Sequence, residues 1–133
     1  MSSSIVVDAS VWIHFIREPD SPLGAQLERL LHGERALVTF LTLAEVLQGA
    51  RSEEEFEEAR EIFRDIPRAG EEETDWVEAA RMAFRLRRRG FTLLLPDCHV
   101  AAVCLRLRAP LLTLDSDFDR VPGLRRMKPE RLS

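Results

Sequence analysis

Four acidic residues, Asp8, Glu45, Asp97 and Asp115, stand in contexts that a solvated surface does not explain. Asp8 closes the β-branched run Ile5-Val6-Val7, and Asp115 comes just after Leu111-Leu112-Thr113. Glu45 lies inside Thr42-Leu-Ala-Glu-Val-Leu47, where apolar neighbours on both sides make an ionised side chain costly unless it is paired or coordinated. Asp97 follows Pro96 at the head of a strongly apolar segment, where capping a helix is the simplest single role. Aspartate is favoured at turns, so Asp8 or Asp115 taken alone reads as a turn or cap residue. Taken together, the four acids read differently. No lysine or arginine lies within five positions of Asp8, and the nearest to Glu45 is Arg51, six positions on, so local ion pairing does not balance them. Carboxylates without nearby cations suit a hard divalent ion, Mg²⁺ or Mn²⁺, which takes oxygen ligands and keeps waters for a phosphate substrate. Carboxylates converging on one crevice also repel one another, so some should hold their protons above the usual carboxylate range.

The elements that must place these acids follow from the hydrophobic pattern. Ser4 to Val7 reads as a buried central strand, and Val11 to Arg17 as a short helix closed by Pro19 and Pro22. Leu23 to His32 is a helix with Leu23, Leu27, Leu30 and Leu31 on one face, stopped by Gly33. Ala36 to Thr39 fits a strand, and Thr42 to Ala50 a helix ending near Gly49. Ser52-Glu-Glu-Glu55 has capping-box spacing and opens a helix to about Ile66, before Pro67. Thr74 or Asp75 caps another helix running to Arg89 and stopping at Gly90. Asp97 begins a helix with Val100, Ala101, Val103, Cys104 and Leu107 as its buried stripe; Ala109 to Thr113 is the next strand, and Asp115 to Asp119 a turn beyond it. Short apolar strands alternating with helices indicate an α/β fold with a central, mainly parallel sheet flanked by helices. In such folds the functional crevice lies beyond the carboxyl ends of the strands, where Asp8 and Asp115 both fall.

A chain of 133 residues without internal repeats reads as one domain, 1–133, with the last few residues expected as a flexible tail. Its 45% hydrophobic and 32% charged content excludes disorder, and no apolar stretch approaches the roughly 18 residues of a membrane span. Met1-Ser2-Ser3-Ser4 has no basic region, so a cytoplasmic location is expected. Cys98 and Cys104 fit a reduced compartment and, about 9 Å apart along one helix, should not bond each other. The net charge of −4 argues against nucleic-acid binding by bulk charge, yet 18 of the 19 basic residues are arginine. Arg81, Arg85 and Arg88 share one side of a helix and are joined by Arg87 and Arg89. That stripe is either an RNA backbone contact or a solvated face balanced by Glu71, Glu72, Glu73 and Glu78. His14, His32 and His99 lack the spacing of a zinc helix motif and read as structural or exposed, while Trp12, Phe15 and Trp76 read as core or subunit-interface residues.

Ile5-Val-Val-Asp-Ala-Ser-Val-Trp-Ile13, Thr42-Leu-Ala-Glu-Val-Leu-Gln-Gly49, Pro96-Asp-Cys-His-Val-Ala-Ala102 and Leu112-Thr-Leu-Asp-Ser-Asp-Phe118, the last followed by Val121-Pro-Gly-Leu124, carry a resemblance in their order. The chain resembles the PIN-domain ribonucleases, specifically the VapC toxins of type II toxin–antitoxin pairs, over almost its whole length. The resemblance implies a PIN-like three-layer fold and metal-dependent hydrolysis of RNA phosphodiester bonds. Asp8, Glu45, Asp97 and Asp115 match the family's acidic quartet as catalytic and metal-holding residues, and Ser10, Thr113 and Asp117 match its supporting polar positions. Cys98 and His99 depart from the small or apolar residues usual after the third acid. A homodimer and a VapB-like antitoxin, whose apolar segment occupies a groove among the early helices, are implied as well. Two other readings remain at this stage. One is a catalytically silent binding module of the same fold. The other is a phosphoryl-handling receiver domain or phosphatase, against which stand Ser10, where a phosphatase needs a second aspartate, and the position of the only lysine, Lys128.

Overall fold

The computed structural model describes residues 3–130, so the tail expected at 131–133 lies outside the described residues. Four strands, β1 (Ile5–Val7), β2 (Ala36–Leu37), β3 (Leu111–Leu112) and β4 (Arg126–Met127), form one parallel sheet in the order β2-β1-β3-β4. Val6 pairs with both Leu37 and Leu111, which makes β1 the inner strand its uninterrupted apolar run called for. Among the described residues, six helices connect the strands: α1 (Ala9–Arg17), α2 (Pro22–His32), α3 (Phe40–Gln48), α4 (Glu53–Phe63), α5 (Glu73–Arg88) and α6 (Leu95–Leu107). A 3-10 helix, Ser116–Arg120, follows β3.

Alternation along the strands divides the interior into two layers. Ile5, Val7 and Leu112 face one way, onto Trp12, Phe15, Leu23, Leu27 and Phe63 of α1, α2 and α4. Val6 and Leu111 face the other way, onto Ala79, Leu86, Val100 and Phe118. The architecture is therefore helices, sheet, helices. Trp12 anchors the first layer, with its ring 4.9 Å from that of Phe63 and its Nε1–H donated to the Val7 carbonyl at 3.0 Å. Residues 98–104 of α6 are all buried, so this helix is fixed on every side. Among the described residues, no helix is long and apolar enough to cross a membrane.

Helix boundaries moved where a cap overrode the apolar pattern. Helix α3 starts at Phe40 rather than Thr42 because Thr39 Oγ1 accepts the Thr42 N–H at 3.0 Å, which also shortens the second strand to Ala36–Leu37. Ser52 Oγ takes the Glu55 N–H at 3.0 Å, as the capping spacing indicated, and that helix ends at Phe63 instead of near Ile66. Neither Thr74 nor Asp75 is the cap of α5. Glu72 holds that position, and its N–H donates to Asp75 Oδ2 at 2.8 Å. Asp75 is 2% exposed because Arg106 of α6 reaches it at 2.7 Å, a link across 31 residues that ties the two helices together.

Candidate active site

Asp8 follows β1 at its carboxyl end and is the first residue before α1, yet its side chain caps nothing there. The carboxylate is buried and accepts two hydroxyl hydrogen bonds on Oδ2, from Ser10 Oγ at 2.8 Å and from Thr113 Oγ1 at 2.8 Å. The two hydroxyls are themselves held by the loop beyond β3, since the Leu114 N–H donates to Ser10 Oγ at 3.1 Å and the Asp115 N–H to Thr113 Oγ1 at 3.1 Å. One hydroxyl thus links Asp8 to Asp115, and the adjacency of β1 and β3 is what makes this link possible. Asp115 opens the 3-10 helix, accepting the Asp117 N–H on Oδ1 at 2.9 Å. Asp117 itself is exposed at the rim.

The remaining two acids come from helices. Asp97 lies in the first turn of α6, inside the helix rather than at its cap, which is Leu94. Its carboxyl is pushed up to about 6, first by burial and then by the charges of Asp8, Asp115, Glu45 and Asp117. Glu45 is half-buried in the middle of α3 and is also raised, by burial and then by Asp8. Mutual repulsion, expected for converging carboxylates, is therefore felt at Asp97 and Glu45. The same field reaches the buried thiols. Cys104 is pushed up to about 12 by burial and by Asp8, and Cys98 to about 11 by burial and by Asp97. Both cysteines are free, buried and protonated near neutrality, which suits packing and not nucleophilic chemistry.

Among the described residues, Asp8, Glu45, Asp97 and Asp115 have no basic side chain within ion-pair distance. The donor set is wholly carboxylate and hydroxyl oxygen, which fits a hard divalent cation and does not fit zinc or copper. No three acidic, histidine or cysteine side chains among the described residues are drawn close enough to form a ready-made ion cage. The acids are near enough to feel one another's charge but too far apart to enclose an ion, so waters would complete the shell of any ion held there.

The model of the PIN domain matches residues 5–124. The chain belongs to the PIN domain family. Among its relatives is the VapC ribonuclease Mb1587 of Mycobacterium bovis, 28% identical over an alignment of 119 residues, which covers 86% of this chain and 89% of the relative. The fold is similar to that of VapBC2 from Rickettsia felis, solved bound to a DNA fragment from their promoter, with a TM-score of 0.76, 17% identity and coverage of 95% of this chain and 98% of the other. It is also similar to VapBC-5 from Mycobacterium tuberculosis, a member of the VapBC family of toxin–antitoxin systems, with a TM-score of 0.66, 24% identity and coverage of 94% and 99%.

Other residues singled out in this PIN domain fall away from the acids or beside them. His14 bonds Ser21 Oγ at 3.0 Å, and exposed His32 lies 3.7 Å from Glu28. His99 is fully buried and stacked 3.9 Å from the half-exposed ring of Trp76, with no hydrogen-bond partner for either ring nitrogen among the described residues. Arg126 escaped the sequence reading. It donates to the Thr113 carbonyl at 3.2 Å and to Asp119, bracing the strand end that carries the site. Its position on a two-residue edge strand left no periodic signal. Of the arginine stripe, Arg81 is drawn to Glu78 at 3.5 Å, while Arg85, Arg88 and Arg89 have no carboxylate within ion-pair distance among the described residues.

Proposed function

We propose that this PIN domain is a metal-dependent endoribonuclease, the toxin of a toxin–antitoxin pair, working from the acidic crevice. The observation that carries this reading is a set of four carboxylates with no basic partner among the described residues, in which burial first and then the charges of the other acids lift Asp97 to about 6. Asp8 and Asp97 would hold Mg²⁺ or Mn²⁺ directly, with Glu45 and Asp115 completing the shell directly or through water. When bound, such an ion lowers the pKa of a water, polarises a phosphate oxygen and steadies the leaving oxygen. Ser10 and Thr113 fix the Asp8 carboxylate so that its free oxygen has one direction. Asp117 fixes the rotamer of Asp115 through its backbone N–H and adds negative charge at the rim. The activity of the M. bovis relative, named a VapC ribonuclease, supports RNA as the substrate. Arg81, Arg85 and Arg88 are the proposed contacts to its backbone.

A VapB-like antitoxin is the proposed partner, supported by the VapBC neighbours. A groove of about 450 Å³ between α3 and α4, with Leu43, Leu47 and Phe63 flanked by Glu57, Arg60, Glu61, Arg64 and Arg68, offers a partner segment of mixed apolar and charged side chains a place among the early helices. Exposed Trp76, Val77 and Phe84 on α5 form an apolar stripe suited to a second copy of the chain. The protein is proposed to act as one domain, in the cytoplasm. A silent binding module would have no need of an unpaired quartet, and a phosphatase would need a second aspartate where Ser10 stands.

The test is cleavage of RNA by the purified chain with Mg²⁺ or Mn²⁺ and with EDTA, alongside Asp8→Asn, Glu45→Gln, Asp97→Asn and Asp115→Asn. Each substitution should lower the rate by at least two orders of magnitude. Undiminished cleavage in EDTA would overturn the assignment.

A further inference from the structure

A groove of about 820 Å³ runs along α5 where it meets α6 and the segment after the 3-10 helix, and it adjoins the apolar stripe where Arg88 lies 5.6 Å from the centre of the Phe84 ring. That is the volume of a site for a small organic ligand. Its floor is apolar, formed by Met82, Leu86, Leu105 and Val121. One wall carries the arginines, and they are of two kinds. Arg81 is engaged by Glu78 and Arg106 by Asp75, so these are spoken for. Arg85, Arg88 and Arg89 line the same groove without a carboxylate partner among the described residues. A helix C-terminus favours cations, which accounts for basic residues in the last turn of α5. It does not account for three guanidiniums left unneutralised beside an apolar trough in a chain of net charge −4.

A second observation lies at the same end of α5. The Arg120 guanidinium lies 3.8 Å from the centre of the Phe91 ring, and both residues are exposed. Phe91 is in the segment that leads into Asp97, and Arg120 ends the 3-10 helix that Asp115 opens. Val121, next in the chain, is already part of the groove floor. The pair therefore joins the groove to the two segments that carry Asp97 and Asp115. Aromatic rings and guanidinium planes are the surfaces on which unpaired bases stack, and guanidiniums about one helical turn apart, roughly 5.4 Å, take successive anionic groups. An acidic peptide would satisfy the arginines but would leave the flat pair and the apolar floor without a use.

We propose that this groove and the Phe91–Arg120 pair form a second substrate site, which holds an unpaired stretch of RNA with phosphates on Arg85, Arg88 and Arg89 and a base stacked at Phe91. The proposal rests on the ribonuclease reading and adds to it a preference for single-stranded RNA flanking the scissile bond. Arg81, held by Glu78 at 3.5 Å, is the weakest of the proposed backbone contacts.

Binding of a fluorescent single-stranded oligoribonucleotide of mixed sequence, and of a duplex of equal length, is measured by anisotropy in EDTA with the full chain across a salt series. The double variant Arg85→Gln/Arg88→Gln should bind the single strand at least tenfold more weakly, and the slope of log affinity against log salt should fall by about 1.4, two phosphate contacts at about 0.7 each. Phe91→Ala should lose roughly 5- to 100-fold on the single strand, with little change for the duplex, and Phe91→Trp should retain binding. With Mg²⁺ present, the arginine double variant should raise KM and leave kcat nearly unchanged. Unchanged affinity and slope, an equal loss for duplex and single strand, or displacement of the RNA by a polyglutamate peptide as effectively as by unlabelled RNA would each overturn the proposal. Failure of the two readings is separable. Tight, Arg85-dependent binding without cleavage in any divalent ion sinks the nuclease and leaves the groove, whereas Asp8-dependent cleavage with unaltered binding in the arginine variant does the reverse.

Discussion

In the metal-free protein, Asp97→Asn should be more stable than the parent at neutral pH and no more stable at pH 4. Folding raises the Asp97 carboxyl from 3.8 to about 6, by burial and by the surrounding acids. Between those values the folded chain binds more protons than the unfolded one. The contribution of this group is therefore whole below about pH 4 and is lost as pH rises through 6. A change from 3.8 to about 6 corresponds to about 3 kcal/mol at most. Asp97 is only half-buried, so solvent screening reduces this, and a carboxylate in the first turn of α6 returns about 0.3–1 kcal/mol through the helix dipole. What remains is about 1–2 kcal/mol in favour of asparagine above pH 7. At this chain length that is roughly 3–8 °C in Tm. The assay is a pair of calorimetric melting series from pH 4 to 8 in EDTA at fixed ionic strength, repeated with Mg²⁺. Parent and variant curves should diverge with rising pH, and Mg²⁺ should close the gap by stabilising the parent more. Parallel curves, or a variant that melts lower at pH 7.5 in EDTA, would refute the repulsion argument.

His99→Phe keeps the stack on Trp76 and removes two buried nitrogens without partners, so Tm should rise by the equivalent of about 1–2 kcal/mol. Burial holds the His99 imidazole below its ordinary 6.5, although Glu71 and Asp75 pull the other way. The parent should accordingly lose stability as pH falls below about 6.5 and the variant should not, which melting between pH 5 and 8 will show. Thr113→Val should cost about 1–2 kcal/mol by denaturant titration and lower RNA cleavage, because Asp8 loses one of its two hydroxyl donors and Asp115 loses the acceptor for its N–H. Asp75→Ala should destabilise the chain by about 2–3 kcal/mol, since it strips Arg106 of its nearest partner. Burial alone would raise the Asp75 carboxyl, but bonds from Arg106 and the Glu72 N–H hold it below the usual range. Its contribution is present above about pH 3.8 and lost in stronger acid, and urea titrations from pH 3 to 7 should show that slope vanishing in the variant.

The acids were legible because each is out of place locally: a carboxylate within an apolar helix or directly after a buried strand has to be accounted for, and four of them share one account. The central strand was legible for a related reason, since an uninterrupted β-branched run has no face left for solvent. Strand β4 was not, because Arg126 and Met127 have no period and pair only through a partner fifteen residues upstream. The roles of Asp75 and Arg106 were equally hidden. Asp75 looks like a helix cap and Arg106 like a surface charge, and only the packing of α5 on α6 makes them an ion pair with the carboxylate buried. Arg85 and Arg81 are indistinguishable as letters in a stripe, and it took the placement of Glu78 to separate them.

The hydroxyl of Thr113 and the carboxylate of Asp8 that it steadies are 105 positions apart. At synthesis rates of roughly 5–20 residues per second, about 5–20 s pass on the ribosome between the appearance of one and of the other. Over that interval β1 waits with one long side unpaired, since β3 has yet to be made. The proposed catalytic centre is thus closed only when the strand after α6 has emerged, long after its first carboxylate, and until then Asp8 has neither the Thr113 hydroxyl nor the neighbouring Asp115 beside it.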